Sequence, residues 1–239
     1  MFHLLYTDII YRPILNLLVF FYNVLPGHDI GLVIIIVTVV IRLILAPSFH
    51  KSLQGQKAMN DLQPKLNALR EKHKDNQEEQ AKAMMELYRE HKINPFSSCL
   101  PLIIQLPIII GLYQVLRSAL NASLDLSVRL QGLYSFVSRP DSLSPYFLHF
   151  LDLSKPNIYL GILAGLVQFW QSKMMLSKTP GQDPTAKALA FQTTYLLPLI
   201  SMYIAIKLPA GLPLYWIVTT LFAVAQQYYI IRKSGANAN

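Results

Sequence analysis

Apolar residues in this chain fall in long unbroken blocks separated by polar stretches, without the short alternation of a half-buried strand. Five blocks approach the roughly 20 residues a membrane-spanning helix needs: 29–48, 96–117, 157–176, 188–206 and 210–231. Several are short for that task, which predicts local thinning of the bilayer around them. A sixth block, 9–25, is interrupted by Arg12, Pro13 and Asn16. These interruptions favour an amphipathic helix lying on the membrane surface, with a sixth span as the alternative.

Between the first two blocks the pattern changes. Leu62, Leu66 and Leu69 recur at spacings of four and three, and Ala81, Met84 and Tyr88 at three and four. Each run gives a helix with one apolar stripe, and the stripes can zip into an antiparallel hairpin turning near Asp75 and Asn76. Pro64 is expected to kink or divide the first of these helices. Leu62, Leu66, Leu69, Met84 and Tyr88 are candidate residues of a platform that receives partners. A solvated pair that merely links two spans fits the same pattern. Residues 118–156 predict a short helix over 123–136 followed by a proline-punctuated loop.

The fold class is therefore an all-α integral membrane protein: a five-span helical bundle with an N-terminal amphipathic interfacial helix and a cytoplasmic antiparallel helical hairpin. The segments run as an outer-face amphipathic helix (1–26), span one (27–50), the hairpin (51–93), span two (94–117) and an outer connection (118–156). Span three (157–176), a cytoplasmic loop (177–187), span four (188–206), span five (210–231) and a cytoplasmic tail (232–239) complete the chain.

Composition supports this reading. Hydrophobic residues make up 53% of the 239 and charged residues only 14%, against about 25% charged in soluble domains. The net charge of +8 is spread over loops, so it argues for positive flanks of spans more than for a nucleic-acid platform. Residues 51–92, the segment between spans three and four, and the tail together carry fourteen Lys and Arg, while the opposite side carries six. That bias places the N-terminus outside and the C-terminus in the cytoplasm. Cys99 is the only cysteine, which excludes an intrachain disulfide and a cysteine-built metal site. The N-terminus has no basic region or small-residue cleavage site and does not read as a cleavable signal peptide.

Enzyme chemistry is hard to find. The six histidines are scattered, and neither His-Glu-x-x-His, Gly-x-Ser-x-Gly nor a Gly-rich phosphate loop occurs. No cofactor or metal is expected. The exception to the apolar pattern is Arg42, inside the first block with Thr38 one turn before it. A guanidinium in hydrocarbon costs at least about 2.5–3.5 kcal/mol on insertion scales. Arg42 could snorkel toward Pro47 and the cytoplasmic interface, or it could share a wet cavity with uncharged polar residues of other spans. Gln105, Gln168, Gln171, Gln192, Thr193, Thr219, Thr220, Gln226 and Gln227 supply that company. Individually, each serves as readily as interhelical glue.

Three strings carry a resemblance: "GLVIIIVTVVIRLILAPSFHKSLQGQKAMNDLQPKL", "INPFSSCLPLIIQLPIIIGLYQVL" and "LPLISMYIAIKLPAGLPLYWIVTTLFAVAQQYYI". With "FLHFLDLSKPNIYLGILAGLVQFWQSKM" between them, they resemble, in order and over nearly the whole chain, the YidC family of membrane protein insertases, relatives of the Oxa and Alb proteins. The resemblance implies a five-span core in a bacterial cytoplasmic (inner) membrane and a hydrophilic groove open to cytoplasm and lipid but closed outside. It implies that Arg42 is the groove arginine, Thr38 the span-one threonine, Trp216 the aromatic of span five and Gln168 a polar groove position of span three; Gln105, from the polar company above, is a groove candidate beside them. It implies nascent membrane protein clients and the lipid bilayer as partners. The Sec translocon, the signal recognition particle pathway and the ribosome are further candidates, without direct nucleic-acid recognition. The large periplasmic domain and lipoprotein-type signal of many relatives have no counterpart here, and the short tail argues against tail-mediated ribosome binding.

Overall fold

The computed structural model describes residues 5–94, 100–121, 123–175 and 184–236. Residues 95–99, which include Cys99 and the start of the predicted second span, and most of the predicted 177–187 loop lie outside these residues. A π-helical turn, Thr7–Tyr11, leads into α1 (Arg12–Val24), followed by α2 (Ile30–Asp61), α3 (Gln63–Lys72), α4 (Gln77–Glu90), α5 (Leu100–Ala119) and α6 (Leu126–Arg129). Strands β1 (Tyr146–Phe147) and β2 (Leu151–Asp152) precede α7 (Ile158–Met175). Then α8 (Pro184–Phe191) runs through a π-helical segment, Gln192–Leu196, into α9 (Leu197–Lys207), and α10 (Gly211–Ala236) follows. Among the described residues, α2 is long and apolar enough to cross a membrane, and Ile103–Ala119 is a shorter apolar helix.

Asp29 starts α2 by accepting the backbone N–H groups of Gly31 and Leu32 at 2.8 and 3.0 Å, a side-chain cap on two otherwise orphaned donors. The helix then runs past Pro47 to Asp61, well beyond the predicted end of the first span at 50. The break comes at Leu62, so that Pro64 falls in the first turn of α3, where its missing N–H costs nothing. Asn76 caps α4 through the N–H groups of Glu78 and Glu79. α3 and α4 pack through Leu62, Leu66 and Leu87, with Leu69, Met84, Tyr88 and Ile93 around them.

The polar interruptions of the N-terminal block turn out to be clamps. Asn16, 4% exposed, donates to the carbonyls of Arg12 and Gly132 at 2.7 and 3.1 Å and accepts from the Tyr134 N–H at 2.7 Å. Tyr22 Oη accepts from the Ser144 N–H at 2.9 Å, and Asn23 donates to the Ser138 carbonyl at 2.6 Å. These bonds fasten α1 to the connection that follows α5. They also correct the expected helix over 123–136, which is reduced to Leu126–Arg129. Gly132, at φ +107°, takes a conformation outside a right-handed helix and gives its carbonyl to Arg12 and Asn16. The all-α expectation needs one small amendment as well: β1 and β2 form an antiparallel hairpin pairing Tyr146 with Asp152 and Phe147 with Leu151.

The main apolar core lies at the end where α2 begins. Leu15, Leu18 and Val19 of α1, Ile30, Val33, Ile34 and Val37 of α2, Val115 of α5, Leu130, Leu153 and Ala210 are all at most 1% exposed and belong to one cluster. The connection also ties down the start of α10, whose Ala210 and Gly211 N–H groups donate to the carbonyls of Lys155 and Leu153 at 2.8 and 3.1 Å. Below Val37 the inward positions of α2 become Thr38 and Arg42, both buried. The apolar plug therefore ends where the polar site starts.

α7 and α9 approach closely at Gly161 and Gly165, a small-xxx-small spacing that suits close packing of apolar helices. A Cβ at Gly161 would sit 2.8 Å from the Ile206 backbone, and one at Gly165 would sit 2.6 Å from Met202 Cβ. Gly161→Ala is thus expected to cost about 1–3 kcal/mol, the range for overpacking. Leu163→Ala, on the exposed face of the same helix, should stay within about 0.5 kcal/mol. Denaturation midpoints in detergent would decide this, and equal midpoints would remove the close approach as a source of stability.

Candidate functional site

Arg42 stands at the centre of the polar region and is 7% exposed. The folded chain holds its guanidinium inside and does not extend it to the surface. Nε donates to Thr219 Oγ1 on α10 at 2.5 Å, and the guanidinium carbon lies 4.3 Å from the centre of the Phe49 ring, a cation–π contact from two turns further along α2. Nη1 is buried and has no hydrogen-bond partner in the protein. Among the described residues the ion pairs are Asp8–Arg12, Glu79–His73, Glu78–Lys82 and Asp152–Lys155, none of which involves Arg42. The site is a fixed cation without a counter-charge among the described residues.

Three helices hold it. Tyr215, one turn before Thr219 on the same side of α10, accepts through Oη from Gln105 Nε2 of α5. Two bonds one turn apart on α10, Gln105 to Tyr215 and Arg42 to Thr219, thus tie α5 and α2 to α10. Both α10 members are buried, at 2% for Tyr215 and 5% for Thr219. Thr38, 1% exposed, turns its hydroxyl back onto the Ile34 carbonyl at 2.6 Å. It shapes the wall above Arg42 through its own helix.

The other expected site residues lie elsewhere along the same helices. Trp216 faces away from Tyr215 and packs, half-buried, against Ala164 and Val167 of α7, Ala205 of α9 and Ile217. Gln168 on α7 and Gln226 and Gln227 on α10 each carry a buried amide oxygen with no hydrogen-bond partner in the protein. Gln226 lies seven residues after Thr219 and so on the same face of α10. Hydrogen-bonding capacity left unused in this way is rare in a folded interior. Such groups stay viable where water or a polar ligand reaches them.

Of the hairpin residues, Leu62 and Leu66 are 5% and 2% exposed and glue the hairpin together. The apolar side chain turned outward is Met85, 58% exposed, beside Ala81, Tyr88 and Ile93. Burial pushes the Tyr88 phenol above its ordinary pKa, partly opposed by the charge of Arg70.

Sequence reasoning singled out Arg42 and Gln105 but not the residues that join them. Thr219 was one of several polar residues in its block, and nothing around Tyr215 or Phe49 in the sequence sets them apart. Only the one-turn spacing of Tyr215 and Thr219 could have pointed to a shared face.

Residues 20–237 match the family model described as 60Kd inner membrane protein. The chain is 34% identical over 227 residues to a protein of Nitratidesulfovibrio vulgaris (strain Miyazaki F) named membrane protein insertase YidC, covering 95% of this chain and 39% of that one. It is 35% identical over 225 residues to the protein of that name from Geobacter sulfurreducens, covering 93% and 37%. A third, from Magnetococcus marinus, is 35% identical over 224 residues, covering 93% and 35%. The chain spans less than two fifths of the length of these relatives.

Proposed function

The chain belongs to the YidC family of 60Kd inner membrane proteins, and from that membership we propose that it is a membrane protein insertase of the bacterial inner membrane. In this reading its five apolar segments cross the bilayer, with the N-terminus outside, α1 on the outer surface and the α3–α4 hairpin in the cytoplasm. The observation that carries the mechanism is Arg42: a buried cation with a free Nη1 and no carboxylate partner among the described residues. An uncompensated buried charge is expensive, so it persists where water wets it and a transient anion can use it.

The polar face of α2 and α10, with Gln105 and the amide oxygens of Gln168, Gln226 and Gln227, forms a groove open toward cytoplasm and lipid. An acidic residue in the outgoing part of a client is drawn to Arg42. The apolar client segment then leaves sideways past α7 and α10 into lipid. No nucleotide is needed, because each centrally placed Leu or Ile gains roughly 0.3–0.6 kcal/mol on insertion. The membrane potential, positive outside, adds about 2.3 kcal/mol per acidic charge per 100 mV. The apolar plug of Val33, Ile34, Val37 and their neighbours keeps the outer end shut. The hairpin serves as the cytoplasmic platform on which clients or targeting partners arrive.

Reconstitution tests this reading against a channel. Vesicles containing only the purified chain should insert a single-span client with an acidic outer tail, leaving the tail protected from external protease. They should not leak small ions in the absence of client. Insertion no better than in empty vesicles would overturn the proposal, and steady ion flux without client would replace it with a conduction pathway.

A further inference from the structure

The β1–β2 hairpin makes an unusual turn. The Phe150 N–H donates to the Phe147 carbonyl at 3.3 Å, and the two residues between them, Leu148 and His149, both have positive φ, +50° and +67°. That is the primed turn of a two-stranded hairpin, which Asn-Gly adopts easily. A leucine there costs about 1–2 kcal/mol in backbone strain. The tip gains nothing from water in return, because Leu148 is 50% and Phe150 76% exposed.

The level of this tip is fixed. Asp29 caps the first turn of α2 with one carboxylate oxygen and accepts the Leu148 N–H with the other at 2.5 Å. The Phe147 ring lies over Gly31 so closely that a Cβ there would collide with it. Leu148 is therefore bonded to the residue immediately before Ile30, where the apolar run of α2 begins. If α2 crosses the bilayer, its first turn marks the outer boundary of the hydrocarbon. The tip then lies at headgroup depth. Other exposed apolar groups continue this level: Tyr146 at 43%, and Ile158 and Tyr159 at 53% and 79% on the first turn of α7. Tyrosines beside aliphatic residues are what the membrane–water interface favours.

We propose that the hairpin is an interfacial anchor that inserts Leu148 and Phe150 into the outer leaflet of the phospholipid bilayer beside the first turn of α2. Its occupant is lipid and not a protein partner, because exposed apolar side chains also run down α7 through Ile162, Leu163 and Leu166, the kind of face a spanning helix turns to lipid. The inference rests on α2 spanning the membrane. It adds that the outer connection grips the bilayer and so sets the depth at which the plug sits.

The test uses the whole chain with Cys99→Ala, reconstituted in phosphatidylethanolamine–phosphatidylglycerol vesicles. An environment-sensitive fluorophore is attached through Phe150→Cys, Ser142→Cys or Ile44→Cys in separate preparations. Position 150 should show blue-shifted emission, loss of iodide quenching, and quenching by lipids spin-labelled near the headgroup. Position 142, exposed on the same connection, should be quenched by iodide. Position 44, 68% exposed on α2, should be quenched by lipids spin-labelled deep in the chain. Iodide quenching at 150 equal to that at 142 would overturn the anchor. So would blue-shifted emission at 150 that no spin-labelled lipid quenches, since protein would then cover the tip. Failure at 44 would instead remove the membrane-spanning reading beneath it.

Discussion

Arg42→Ala is expected to slow insertion of clients with acidic outer tails by about ten- to a hundredfold, while clients with neutral tails change less than about twofold. The estimate follows from losing a charge-assisted hydrogen bond of about 1.5–3 kcal/mol between the guanidinium and a client carboxylate. Arg42→Lys should fall between Arg and Ala. It keeps the cation, but a point charge cannot both hold Thr219 through Nε and offer a second, parallel donor. Arg42→Glu should be worst, because it repels the acidic tail it must receive. Rates are measured in vesicles holding equal amounts of each variant, with circular dichroism confirming equal helicity. Equal rates for Ala, Lys and Glu on acidic-tailed clients would end the charge-capture mechanism while leaving the insertase reading open.

Arg42 was legible in the sequence because a charge that cannot be neutralised stands out in an apolar run. Periodicity could not say where it goes: snorkelling and burial produce the same string. The answer depends on Thr219, 177 residues away, and on Phe49 lying just beyond Pro47 in a helix that the proline does not break. The helical blocks were legible for the same reason that hydropathy reads membranes, since long apolar runs have few other uses. The α3–α4 contact was read through Met84 and Tyr88, while the buried centre of its second stripe is Leu87, one position along a pattern that is ambiguous by a residue. Gly161 and Gly165 stood in plain view, yet a pair of glycines four apart means close packing only once a partner helix is known. The β-hairpin left no trace, because its strands have two residues each and its turn lacks the Asn-Gly signal. Trp216 was expected as the aromatic of the groove, and its neighbour Tyr215, which takes the side of α10 facing α2 and α5, was not singled out.

Asp29→Ala should have the largest effect on stability, about 2–4 kcal/mol. One share is the lost helix cap, worth about 0.5–2 kcal/mol. The other is the Leu148 N–H, which loses its acceptor at a cost of about 1–3 kcal/mol for an unpaired donor shielded from water. Asp29 is 6% exposed, so water cannot readily replace either bond. Asp29→Asn separates the two shares. An amide has one acceptor oxygen where the carboxylate has two, so it can cap Gly31 and Leu32 or hold Leu148, but its NH₂ group would then face the remaining N–H donor. The cap is local and the hairpin is 119 residues away in sequence, so the cap should win. Hydrogen exchange is then expected to accelerate at Leu148 in Asp29→Asn while Gly31 and Leu32 stay protected, and at all three in Asp29→Ala. Freed from Asp29, Phe147 no longer has to lie over Gly31, and the outer end of the plug loosens. Vesicles carrying Asp29→Ala should accordingly leak ions that the parent retains, even though Arg42 is untouched. Unchanged protection at Leu148 in both variants would mean that the plug is held by apolar packing alone, and the carboxylate would then be no more than a helix cap.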